Sequence, residues 1–217
     1  KRFNNNGKIA PKAFIGTGLL SAPFLFVGNL FNYFSSNSLM NFGLLFYSLS
    51  SVVYLFLTII MIYKLLNSVY SNIDFKFIFL LIFGSGIPYF AFERYSMSHI
   101  FEIFTIMLTI YFSHMFYKSN EKNNFYAFFI PIAILLAILV RWVNYYAFIL
   151  PYITFLLFKK AYKKDLLLRY NKYFFGGALL SVLIFSYLSK TMYGVITFNP
   201  QFVYGTSGML DGYLDTS

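Results

Sequence analysis

The acid–base and anion-binding chemistry available to this sequence is concentrated in five residues: Arg94, His99, Glu102, Arg141 and Asn144. Glu93, Arg94, Ser98, His99 and Glu102 fall within ten residues. On a helix beginning near Ser96, His99 and Glu102 stand three apart and share a face. That spacing suits a hydrogen-bonded pair at the edge of a site, and it equally suits a structural bond between helices. Arg141 leads into Trp142, Asn144, Tyr145 and Tyr146. A guanidinium there either holds the oxygens of a substrate phosphate or snorkels to lipid phosphates beside an aromatic belt. Asp211 and Asp215 are the other candidate acids and read as solvated tail residues. With no cysteine, thiolate catalysis, disulfides and cysteine metal sites are excluded. His99 and His114 do not make a metal site, and no organic cofactor is expected. A Walker-type loop, a nucleophile elbow and a zinc signature are all missing.

The elements that must position these residues follow from composition. Hydrophobic residues make up 59% of the 217, charged ones 11%, and the mean hydropathy is +0.66, which leaves too little polar surface to coat a water-soluble globule. The reading is an all-α, polytopic membrane protein forming one helical domain over residues 1–217. The net charge of +10 does not point to nucleic acid. Its basic residues sit in short clusters between apolar runs, whereas nucleic-acid binding needs a continuous basic face. Membrane lipid is the expected partner, and the 30 Phe and 20 Tyr read as lipid contacts and helix packing.

Between Lys12 and Lys64 lie 51 residues without a charge. As one helix they would reach roughly 75 Å, far beyond a single crossing of ~30 Å. The polar run Ser35-Ser36-Asn37-Ser38 is the natural break, giving apolar elements at 13–34 and 41–63. Five further elements follow at 75–92, 98–117, 125–140, 142–158 and 173–189. The expectation is about six transmembrane helices in a bundle over 41–195, an outward-facing tail at 196–217, and a juxtamembrane or spanning helix within 1–34. Juxtamembrane placement is favoured for the last, because Gly16, Gly18, Pro23 and Gly28 make a rigid straight span less natural. No fixed-period repeat or inverted pair of interrupted helices is evident.

Alternate connections differ in basic residues. Loops 64–76, 118–124 and 159–172 carry ten Lys and Arg against three, Arg94, Arg141 and Lys190, on the opposite side. The positive-inside rule makes the ten cytoplasmic. Residues 125–158 would form a helix of about 50 Å with both ends among cytoplasmic charges, so they must be a hairpin whose tip carries Arg141. Each leg is only about 25 Å long, which places that tip at or just below the outer interface.

Four stretches, in order, resemble bacterial members of the C-type glycosyltransferase superfamily, multispanning enzymes that include protein mannosyltransferases and lipid A aminoarabinose transferases. Phe14-Ile15-Gly16-Thr17-Gly18-Leu19-Leu20-Ser21-Ala22-Pro23-Phe24 is similar to their segment after the first outer loop, with Lys12 in place of a common aromatic. Gly86-Ile87-Pro88-Tyr89 through Ser96-Met97-Ser98-His99 resembles their turn between two spans, without its usual second proline. Val140-Arg141-Trp142-Val143-Asn144 resembles an Arg-Pro-x-Asn segment, again lacking proline. Asn199-Pro200-Gln201 through Gly212-Tyr213 is similar to an outer-face segment.

The resemblance implies an enzyme of the cell envelope that moves a sugar from a polyprenyl-phosphate donor to an acceptor outside the cytoplasmic membrane. Arg94, His99, Glu102, Arg141 and Asn144 would line its donor-phosphate or acceptor cavity. The catalytic acid of such enzymes would precede Lys1, so the chain reads as an N-terminally incomplete transferase. A transporter or flippase-like protein and a non-catalytic membrane scaffold are the competing expectations.

Overall fold

In runs this apolar, backbone groups are satisfied within their own helix, and the chain folds accordingly. The computed structural model describes residues 14–35, 40–70, 73–119, 123–157 and 172–200, with no strand among them. The helices are α1 (Gly16–Phe34), α2 (Phe42–Val69), α3 (Phe75–Phe83), α4 (Ile87–Phe92), α5 (His99–Lys118), α6 (Asn124–Val140), a 3-10 helix (Trp142–Ile149) continuing into α7 (Leu150–Leu157), and α8 (Lys172–Tyr193). Three of them, α2, α5 and α8, are long and apolar enough to cross a membrane.

Polar side chains set several starts. Asn41 accepts from the Leu44 N–H at 3.2 Å, Asp74 from the Lys76 N–H at 2.9 Å, and Asn123 from the Phe125 N–H at 3.1 Å. Each satisfies an N–H that the first helical turn leaves without a partner.

Helix directions follow from which residues meet. Along α2 and α5, Tyr54 faces Phe101 and Phe104 while Ser68 faces His114, so the two helices run parallel. Glu102 meets Arg141 and Phe112 meets Phe125, so α5 and α6 are antiparallel. Gly177 lies on the Phe128 carbonyl, and α8 packs along α6. One end of the bundle therefore gathers Arg94, His99, Glu102 and Arg141, and the other holds the ends of α2 and α5 at Val69 and Lys118.

The α5 surface that the bundle covers carries a row of small hydroxyl residues among larger apolar ones. Thr105, Thr109 and Ser113 are fully buried. They donate to the carbonyls of Phe101, Thr105 and Thr109 at 2.9, 3.0 and 2.7 Å, so no donor is stranded and neighbouring helices approach closely.

Helix α1 sits at the Arg141 end. Gly16 rests on the backbone of Leu139 and Val140 in the last turn of α6, and Phe14 packs edge-on against Phe185 and Tyr193. From there α1 runs antiparallel to the first half of α2: Tyr54 donates to the Leu20 carbonyl at 2.9 Å, Ser50 to the Ser21 hydroxyl at 3.4 Å, and Gly28 abuts Phe42 and Gly43. Since Tyr54 is level with Phe101 near the start of α5, α1 and residues 42–53 project past the α5 and α6 ends. The 28 residues of α2, about 42 Å long, accommodate this overhang.

Three expected boundaries are corrected. Helix α2 continues past residue 63 to Val69, so Lys64 lies within a helix rather than in a loop; a lysine, with its long aliphatic stem, is a good helix former and does not end the helix. The element at 75–92 is not continuous but breaks at Gly84-Ser85-Gly86, with Pro88 in the first turn of α4. Neither glycine offers side-chain packing to hold the helix, and Ser85 Oγ turns back to the Ile82 carbonyl at 2.6 Å. The second leg of the 125–158 hairpin is present, but its first half is a 3-10 helix. Those eight residues rise about 16 Å instead of about 12 Å, which lengthens a leg that would otherwise fall short.

Candidate functional site

Helix α6 ends at Val140 and Arg141 adopts an extended conformation, φ −146° and ψ 124°. Asn144 makes this turn. Its backbone N–H donates to the Arg141 carbonyl at 2.9 Å, and its side-chain amide donates to the Ala137 carbonyl at 3.0 Å, occupying an acceptor in the last turn of α6. Asn144 is fully buried. Its Oδ1 has no hydrogen-bond partner among the described residues. Asn144 thus sits inside the turn that carries Arg141, bonded to both sides of it.

The extended backbone carries the Arg141 side chain to α5, where its Nη1 donates to Glu102 Oε2 at 2.8 Å. Glu102 stands in the first turn of α5, where the helix dipole favours a carboxylate. Its side chain is only 16% exposed against 43% for Arg141, so the acid is the inner member of the pair. His99 Nδ1 lies 4.0 Å from the same oxygen, and its ring packs 4.5 Å from that of Phe90 in α4. The helix starts at His99 rather than Ser96, yet the three-residue spacing that joins His99 to Glu102 is retained. Tyr146, one 3-10 turn beyond Val143, lies within the electrostatic reach of both Glu102 and Arg141.

Arg94 is placed differently. Its Nε donates to the Tyr89 hydroxyl at 2.9 Å, and that bond raises the already high pKa of the guanidinium. Arg141, Glu102 and His99 thus form one cluster, while Arg94 is held by α4 at the same end of the bundle. The clustering of Arg141 with Glu102 was not read from the sequence, since 39 residues separate them. The available signal was that Glu102 is an acid in an apolar helix, which requires a cation.

Chemically, an arginine bound through one nitrogen retains further N–H donors for an anion, and a carboxylate on the inner side fixes its orientation. His99, with its Nδ1 4.0 Å from that carboxylate, adds an imidazole nitrogen to the polar groups of the cluster. No group of three or more His, Asp or Glu side chains that could hold a metal occurs among the described residues. His114 lies elsewhere, near the Lys118 end, 2.6 Å from Ser68 Oγ. Asp211 and Asp215, most of the stretch from 199 to 213, and the segment before Phe14 lie outside the described residues.

No family model, curated protein or solved structure matches this chain.

Proposed function

We propose that this chain belongs to a membrane glycosyltransferase that moves a sugar from a polyprenyl-phosphate donor to an acceptor on the outer face of the cytoplasmic membrane. The observation that carries the reading is the Arg141–Glu102–His99 cluster, gathered from two helices at a single end of an apolar bundle. The distribution of Lys and Arg assigns the Arg141 end to the outward side, and two of the three residues, His99 and Arg141, belong to stretches that resemble the superfamily. About six crossings complete this reading, with α3–α4 and the α6–α7 hairpin joining the three long helices.

In the reaction, the acceptor hydroxyl oxygen bonds to the anomeric carbon as the bond from that carbon to the donor phosphate breaks. The polyprenyl phosphate leaves with the electron pair, and the hydroxyl proton passes to a base. Arg141 stabilises the charge developing on the departing phosphate, and Glu102 keeps the guanidinium aimed. The resemblance assigns the base to a residue upstream of Lys1. The test is donor turnover in membranes carrying the full-length protein, with radiolabelled polyprenyl-phosphate sugar. Arg141→Ala should lower turnover about tenfold or more, corresponding to about 1.4 kcal/mol of transition-state stabilisation. Unchanged turnover in that variant removes Arg141 from the mechanism.

A transporter reading draws on a different observation, the broken helix at Gly84-Ser85-Gly86, since discontinuous helices often build transport sites. Substrate uptake into vesicles with no cleavage of a lipid-linked sugar would favour it.

A further inference from the structure

Helix α1 and residues 42–53 of α2 reach beyond the ends of α5 and α6, and neither carries a charge. Ser21 and Ser50 are fully buried between the two helices and bonded to each other. Asn29, Asn32 and Asn41 gather over Gly43 at the tip, where Asn32 Oδ1 accepts from the Phe42 N–H at 2.8 Å. The outward surface is apolar: Phe26, Leu30 and Phe34 on α1, the last 80% exposed, and Leu44 and Leu45 on α2. Hydroxyls inside and large apolar side chains outside suit contact with hydrocarbon rather than water.

The exposed stripe of α2 runs from the bundle into this overhang without a change of residue type. Leu45, Leu49, Val53, Phe56 and Ile60 stand three or four apart on one face, and all are exposed. From Leu44 to Tyr63 the helix has 20 residues without a charge, the length that crosses a hydrocarbon layer of ~30 Å. Tyr54 is at the middle of that length. It packs on Phe101, the neighbour of Glu102, with ring centres 5.4 Å apart.

The inner ends of the helices agree. With Glu102 at the outer surface, Lys118, 16 residues further along α5, would lie only about 24 Å down, still within the ~30 Å layer. With Leu44 at the outer boundary instead, Glu102 lies about 15 Å down and Lys118 about 39 Å, past the hydrocarbon and at the inner headgroups. Arg94 adjoins Tyr95, whose ring meets Tyr47 one turn from Leu44, so its side chain reaches the outer headgroups.

We infer that acyl chains of the outer leaflet cover the α1–α2 overhang, and that the Arg141–Glu102–His99 cluster therefore lies about 15 Å inside the hydrocarbon layer, near its middle. This is deeper than the length of the 125–158 hairpin alone places it. At that depth the exposed parts of Arg141 and His99 face water held between the helices, because a charge is not stable against acyl chains. The depth does not depend on the proposed sugar transfer and holds equally for a transporter.

The chain has no cysteine and a single tryptophan, Trp142, beside Arg141. In nanodiscs of lipids brominated at different acyl positions, Trp142 of the unaltered protein should be quenched more by bromine near the chain end than by bromine near the headgroup. Equal quenching or the reverse order overturns the depth. Single-cysteine spin labels at Leu45, Leu49, Val53 and Ile60 then map the stripe. All four should be open to oxygen and about tenfold less accessible to a water-soluble nickel chelate than a label at exposed Tyr70, since a polar solute partitions out of hydrocarbon. Leu45 and Leu49 labels open to nickel would put the overhang in water. Labels there closed to both reagents and broadened by spin–spin coupling would put it against a second copy of the chain. Either result overturns the lipid cover, and where a label disturbs folding the Trp142 measurement decides.

Discussion

Glu102 and Arg141 share a 2.8 Å ion pair in which the acid is the more buried partner. The asymmetry gives the two single substitutions different costs. Arg141→Ala strands a carboxylate that is largely shielded from water, whereas Glu102→Ala frees a guanidinium that is already partly exposed. Arg141→Ala should therefore destabilise the protein by about 1–3 kcal/mol, and Glu102→Ala by less than about 1 kcal/mol. Thermal unfolding in detergent of both variants and of the double variant measures this; equal costs would mean that the pair is solvated.

The α6–α8 interface depends on one glycine. A Cβ at Gly177 would land on the Phe128 carbonyl, a backbone atom that cannot rotate away, whereas at Gly176 it would meet only the Phe128 ring at 4.0 Å. Gly177→Ala should cost about 1–3 kcal/mol. Gly176→Ala and Gly18→Ala, the latter facing open space, should be neutral or stabilising by up to about 1 kcal/mol through helix propensity. A Gly177→Ala variant that melts with wild type would show that the two helices are farther apart than described.

Asn144 separates hydrogen bonding from shape. Asn144→Leu removes one donated bond together with an acceptor that lacks a partner among the described residues, so its net effect on stability should fall within about 1 kcal/mol of zero. Asn144→Asp loses the donor and introduces a charge at a fully buried position, and should be the worse of the two by several kcal/mol. If Asp is tolerated as well as Leu, water reaches this turn.

Placement of α1 at the Arg141 end predicts its accessibility. A single cysteine at Tyr33, which is 84% exposed, should react with a membrane-impermeant reagent from the same side as a cysteine at Arg94. Labelling of Tyr33→Cys from the side that modifies a cysteine at Lys118 would show instead that α1 crosses the membrane.

Parts of this arrangement are legible in the sequence because they follow from length. The run from residue 125 to 158 is too long for one crossing, and the turn at Arg141 is where the hairpin expectation puts it. The end of α2 is not legible from charge alone, because a lysine stem crosses several ångströms of apolar surface without disturbing its helix, and Lys64 marks no boundary. The break at Gly84-Ser85-Gly86 was signalled by its glycines, yet hydropathy alone ran through it. The Glu102–Arg141 pair depends on the relative register of two helices, a tertiary quantity that no local pattern encodes. The same holds for the 3-10 winding of residues 142–149, whose composition would suit an α-helix equally well.

That winding couples two motions of the second hairpin leg. Relaxing its eight residues to α geometry would shorten it by about 4 Å, and each residue would then advance by about 100° instead of about 120°. Shortening is thus inseparable from rotation, as in a screw. A change of winding in this leg would therefore turn α7, whose Phe155 packs against Tyr117 of α5 with ring centres 5.5 Å apart.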